Sequence, residues 1–199
     1  VEMQTKNTIA KLKEKGIKRV LCVEGEINGS SSYEILKSFH KHKLDVVGLF
    51  SKEASSDIKN VNFHGKVSRN KVKDFYKGRV IFLNLEVNPA CPNSVIEALS
   101  FGIPVVGFDS GSLAELVGNA GILSNYQGKH WSLETPSLES LHDSIDVIFD
   151  NYNMYSEKAF DISKAYNIDI TSDRYYEFIS RIVNTSNTNW FTVNTLVVF

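Results

Sequence analysis

The sequence is poor in everything that would tie it to a special environment. It has two cysteines, Cys22 and Cys91, too few for a disulfide framework and without the spacing of a metal site. A reducing, cytoplasmic setting is the expectation. Neither sign of charge prevails: 22 Lys and Arg against 23 Asp and Glu leave a net charge of -1, so no field draws the chain to nucleic acid. Long hydrophobic runs are lacking too. The most apolar stretches, such as residues 45–50 and 79–85, are strand-sized and far below membrane-spanning length. No signal-peptide pattern opens the chain. The chain begins on Val1 without an initiator methionine and is expected to be a piece of a longer protein. Five histidines, His40, His42, His64, His130 and His142, make no ligand cluster and pair with no Asp or Cys in a recognisable nucleophile pattern. His40 and His42, interleaved with Lys41 and Lys43, read as surface residues.

What is present is a regular alternation. A short amphipathic helix from Thr8 to Gly16 precedes a nearly continuous apolar run at 18–24, which has the look of a strand buried on both faces of a parallel sheet. Further strands are predicted at 44–50, 60–64, 80–85, 103–108 and 121–123, with helices at 32–41, 69–76, 94–101 and 113–118. This implies an α/β, Rossmann-like, doubly wound parallel sheet of six strands. After Leu123 the pattern turns to C-terminal helices at 137–149, 156–166 and 172–183, then to an Asn- and Thr-rich tail at 184–199. The expected division is a nucleotide-binding domain at 1–171 and a helix and tail at 172–199.

In such a sheet ligands bind beyond the carboxyl ends of the strands where the order reverses, here between the first and fourth. Two loops flank that point. The first, Gly25-Glu-Ile-Asn-Gly-Ser-Ser-Ser32, ends in small residues before a helix, which suits a phosphate as well as it suits an ordinary turn. It matches neither the dinucleotide fingerprint nor a P-loop. The second, Glu86-Val-Asn-Pro-Ala-Cys-Pro-Asn93, is stiffened by Pro89 and Pro92 and leads into a helix whose N–H groups and positive dipole end would face a diphosphate. Within that helix Glu97 has two readings. Ser94-x-x-Glu97 is a capping-box pattern, and a carboxylate there also suits a ribose diol.

The run Asn88-Pro-Ala-Cys-Pro-Asn-Ser-Val-Ile-Glu-Ala-Leu-Ser-Phe-Gly-Ile-Pro-Val-Val-Gly107, with Asp109-Ser-Gly-Ser-Leu-Ala-Glu-Leu-Val117 after it, closely resembles the donor-site signature of family 4 glycosyltransferases of the GT-B fold. Asn62-Phe-His-Gly-Lys-Val-Ser68 resembles the preceding segment of the same family, and the likeness runs in order from about 18 to 171. It implies the C-terminal half of a GT-B enzyme, which binds a UDP- or GDP-sugar and transfers a hexose with retention to a glycan or lipid-linked acceptor. The acceptor half would lie upstream, and the whole protein would act in the cytoplasm or at the inner face of the membrane. By the resemblance Glu97 is the ribose ligand. Asn93, Ser94 and Val95 hold the phosphates and sugar, and Gly65, Lys66, Val67 and Ser68 line the base pocket. No metal or other cofactor is implied.

Two departures stand out. The family's first motif glutamate falls at Pro89, leaving Glu86 as the nearby candidate catalytic acid. Where the family has an Arg and a Lys after the first strand, this chain has Gly25 and Glu26, then Ser30 to Ser32. Lys66, Arg69 and Lys71 are the cations that could replace them. A catalytically degenerate binding or interaction module of the same fold is therefore the rival reading. A sugar-nucleotide epimerase of this fold would want a histidine and acid constellation that the sequence does not display.

Overall fold

The computed structural model describes residues 19–27, 35–39, 42–50, 58, 60–78, 81–132, 134 and 138–186, the side chains of 19, 24–27, 50 and 186 excepted. The helix from Thr8, the residues of the first loop beyond Ile27, most of the helix expected at 32–41, His40 and the tail after Ser186 lie outside them. The sequence divides into two compact units, Val1–Ser163 and Lys164–Phe199.

Six strands build the first unit: β1 (Arg19–Ile27), β2 (Lys43–Phe50), β3 (Val61–Phe63), β4 (Ile81–Leu83), β5 (Val105–Phe108) and β6 (Gly121–Ser124). All pair in parallel in the order β3-β2-β1-β4-β5-β6, so the direction of winding reverses between β1 and β4, as expected. Val20, Leu21 and Cys22, like Ile81, Phe82 and Leu83, are without solvent exposure, because helices cover both faces. β5 starts two residues later than the sequence suggests. Pro104 has no N–H to give the ladder, although its carbonyl accepts from the Phe82 N–H at 2.9 Å.

Among the described residues five whole helices stand in this unit, α1 (Arg69–Tyr76), α2 (Asn93–Ser100), α3 (Leu113–Val117), α4 (Glu139–Asp150) and α5 (Tyr152–Ser163), besides the helical residues 35–38. The apolar stripe of α4, Leu141, Ile145, Ile148 and Phe149, packs with Ile35, Leu36 and Phe39 over one sheet face, built from Val20, Cys22, Ile81, Leu83 and Val106. Leu21, Phe82 and Val105 alternate to the other face. There Val95, Ala98 and Leu99 of α2 and Leu113 of α3 are buried. α5 starts four residues before the expected helix and packs on α2, where Ser156 Oγ and Tyr152 Oη donate to the Gly102 carbonyl at 2.7 and 3.4 Å.

His42 corrects the surface reading. It is 2% exposed, stacked on His142 at 5.9 Å and edge-on to Phe39 at 6.2 Å, because β2 begins one residue later and draws it under α4. In the second unit α6 runs Ile168–Ser186, longer at both ends than the expected helix, and presents Tyr175, Phe178, Ile179 and Ile182 as an exposed apolar stripe. Among the described residues no helix is long and apolar enough to cross a membrane.

The β5·β6 contact is tight where it matters. A Cβ on Gly121 would collide with the Val105 carbonyl oxygen inside the sheet, where backbone must move to make room. Gly121→Ala is expected to cost at least about 2 kcal/mol. In thermal unfolding that is a fall of roughly 4–8 °C for a chain of this size.

Candidate functional site

A cleft of about 1090 Å³ opens at the carboxyl end of the sheet between α1 and α2, floored by Val23 of β1. Its far wall is the N-terminus of α2. Pro92 precedes the helix as its N-cap residue and provides no side-chain cap, and the N–H groups of Asn93 and Ser94 have no acceptor among the described residues. Ser94 is thus the second helical residue rather than the cap, and the capping-box reading fails. Glu97 makes a different bond: its Oε2 accepts from Tyr76 Oη at 3.1 Å.

The near wall is α1 and the turn before it. Lys66, Arg69 and Lys73 line the cleft, and none forms an ion pair with a carboxylate among the described residues. Lys71 is exposed but not part of the lining, whereas Lys73, one turn on from Arg69, is. The turn itself is fixed from behind. Gly65 takes a left-handed φ of 69°, and its carbonyl accepts the Gly48 N–H at 3.1 Å. His64, one residue earlier, sets its Nε2 2.8 Å from Oδ1 of Asp45, a buried residue of β2, and lays its ring 4.7 Å from that of Phe75.

The sequence candidates separate accordingly. Glu97, Asn93, Ser94, Lys66, Val67 and Glu86 share the cleft. Val95 does not: its side chain is fully buried in the core and its N–H already donates to the Pro92 carbonyl at 3.0 Å. Gly65 and Ser68 stand behind the lining, Ser68 with its carbonyl taken by the N–H groups of Lys71 and Val72 at 2.8 and 3.2 Å. Gly25 and Glu26 belong to β1, which continues to Ile27 across a register shift against β2, and the Glu26 side chain is outside the described part. Tyr76 and Lys73 are the polar-tipped lining residues of most consequence among those that sequence reasoning missed, which also include Asn70, Val72 and Phe101.

Pro89 is buried and takes no part in the lining. Its carbonyl accepts from both the N–H of Ser112 at 2.8 Å and the Ser112 hydroxyl at 3.0 Å, which clamps the loop after β4 to the loop after β5. Asn88, at φ 57°, adds a bond from its N–H to Ser110 Oγ at 3.3 Å and one from Nδ2 to the His130 carbonyl at 3.1 Å. Glu86, exposed at the cleft rim, is the carboxylate that remains there besides Glu97.

No nucleophile is assembled elsewhere among the described residues. His142 Nε2 lies 2.9 Å from Ser38 Oγ, but that hydroxyl spends its single proton on the Ile35 carbonyl at 2.7 Å, so the imidazole is the donor. Among the described residues no group of three or more His, Cys, Asp or Glu could hold a metal ion.

These features agree with what the chain resembles. Sucrose-phosphate synthase from Thermosynechococcus elongatus superposes with a TM-score of 0.68 at 14% identity, covering 91% of this chain and 49% of that one. Anabaena Alr3699/HepE in complex with UDP-glucose gives 0.61 at 16% identity, with 88% and 53% covered. This chain therefore spans about half the length of both. The C-terminal domain of the LpcC group 1 family protein from Francisella tularensis gives 0.56 at 15% identity, with 81% of this chain and 93% of that one covered. No curated protein matches the sequence itself at a significant level. The family model described as glycosyl transferases group 1 matches residues 7–161, and the chain belongs to that family.

Proposed function

We propose that the cleft is the donor site of a retaining glycosyltransferase of family 4, and that this chain is the nucleotide-sugar half of it. The observation that carries the reading is the pairing of two walls: an uncapped helix N-terminus with Glu97 one turn inside it, facing Lys66, Arg69 and Lys73. Free N–H groups and a positive dipole end on one side and cations on the other suit a diphosphate. A carboxylate one turn along suits the ribose diol. The UDP-glucose complex of the Anabaena relative supports a UDP-sugar, and a GDP-sugar fits the same chemistry.

In this reading a hexose passes to a glycan or lipid-linked acceptor held by an upstream half. The bond from C1 to the diphosphate oxygen breaks, and the acceptor oxygen bonds C1 on the same face. The leaving diphosphate takes the acceptor's proton. No metal is needed, because the cations of α1 and the amides of α2 meet the developing negative charge. With Pro89 buried in the first acid's place, Glu86 is the carboxylate left at the rim to face the sugar. The second reading, a binding module that has lost transfer, is favoured by that same proline.

Calorimetric titration with UDP- and GDP-sugars is expected to show binding of one of them, unchanged by EDTA, and no sugar transfer by this chain alone. Slow hydrolysis of the bound donor marks the enzyme, and stable binding without it marks the degenerate module. Absence of any nucleotide binding would sink the enzyme and leave an interaction module of the same fold. Lys66→Ala and Arg69→Ala should each weaken the nucleoside diphosphate about fivefold, with little effect on the nucleoside and less on the diphosphate at high salt. Gly111→Ala, whose Cβ would collide with the Pro89 carbonyl, is expected to displace the loop before α2 and weaken the diphosphate about tenfold or more.

A further inference from the structure

Tyr76 closes α1, and nothing in its sequence position marks it, since an aromatic residue on the inner face of an amphipathic helix is ordinary core material. The structure gives it a second task. Its ring is 1% exposed, stacked on Phe101 with centroids 5.3 Å apart and planes 15° apart, and lies 6.1 Å from Phe82. Packed so, the ring has one orientation. The hydroxyl emerges at the cleft wall, 3.1 Å from Glu97 Oε2 and 3.2 Å from the Ser94 carbonyl oxygen. A phenol has one proton, and both neighbours are acceptors. The carboxylate carries charge, while the Ser94 carbonyl already sits in the backbone ladder of α2, so the proton goes to Glu97.

We infer that Tyr76 is a positioning residue for the donor site: it fixes the Glu97 carboxylate so that Oε1 is turned to the hydroxyls of a ribose. The inference rests on the reading of Glu97 as the ribose ligand. Glu97 Oε1 has no partner among the described residues, so the side chain keeps one whole oxygen for a ligand. A glutamate without the Tyr76 bond would have to surrender its rotamer freedom each time a nucleotide arrived. The same bond ties the two walls together, because Tyr76 belongs to the helix that carries Arg69 and Lys73, and Glu97 to the helix whose N-terminus faces them.

The test compares the chain's affinity for UDP or GDP, whichever the wild type binds more tightly, with that for its 2′,3′-dideoxy counterpart. Tyr76→Phe should weaken the ribonucleotide about fivefold and leave the dideoxy nucleotide unchanged, since the lost function acts through the diol. Glu97→Ala should show the same selectivity, and adding Tyr76→Phe to it should change nothing further, the signature of two residues acting as one. Phe101→Leu, which frees the ring while keeping the hydroxyl, should weaken the ribonucleotide selectively and by less. Equal loss of both nucleotides in Tyr76→Phe, no loss of either, or an additive double variant overturns the inference while Glu97 stands. If Glu97→Ala binds both nucleotides as the wild type does, or the wild type binds neither, the ribose reading falls and takes this one with it.

Discussion

The N-terminus of α2 points into the cleft because the carbonyl of Pro89 is pressed against a residue with no side chain. Gly111 sits at φ 58°, and a Cβ there would fall 2.6 Å from the Pro89 nitrogen and from the Asn88 carbonyl carbon. With that space empty, one carbonyl collects two donors from Ser112, and the chain between β4 and α2 has its course set from below. Everything on the far wall follows from that entry angle: which amides of α2 face outward, where Glu97 lies, and where Tyr76 must reach to meet it. Pro89 cannot supply an acid, but it supplies a stiff backbone at the point where stiffness decides the geometry.

The two walls divide the labour by chemistry. α1 contributes mobile cations on long stems, and α2 contributes fixed dipoles whose direction costs nothing to arrange when a ligand arrives. The solved structures that this chain resembles, at 11–16% identity, share the fold. The cations of the cleft lining, Lys66, Arg69 and Lys73, all lie on the α1 side.

The sheet is legible in the sequence because its signal is redundant. Runs such as 80–85 and 103–108 are apolar at nearly every position, Asn84 being the exception, as parallel strands covered on both faces require, and the spacing between them leaves room for one helix each. The reversal between the first and fourth strands then places the crevice from strand order alone. Single side chains are harder. Tyr76 carries an apolar ring and a polar tip, and periodicity registers the ring alone. His42 misleads because its lysine neighbours look solvated, whereas β-strand alternation and a covering helix decide burial one residue at a time. The Ser94 to Glu97 spacing makes a capping box only if Ser94 is the cap and the helix starts after it; here the cap is Pro92, and that two-residue shift turns Ser94 into a wall residue. Val95 matches a motif position, but its side chain is committed to the core.

Apart from Val23, every described residue of the cleft lies between Lys66 and Phe101. A pocket written in one uninterrupted stretch is inherited as a unit, since recombination elsewhere in the gene leaves it whole. Its contacts are close in sequence, so the loop closures they need are cheap. The cleft therefore depends little on what flanks the stretch, whereas an insertion between α1 and α2 would part its two walls.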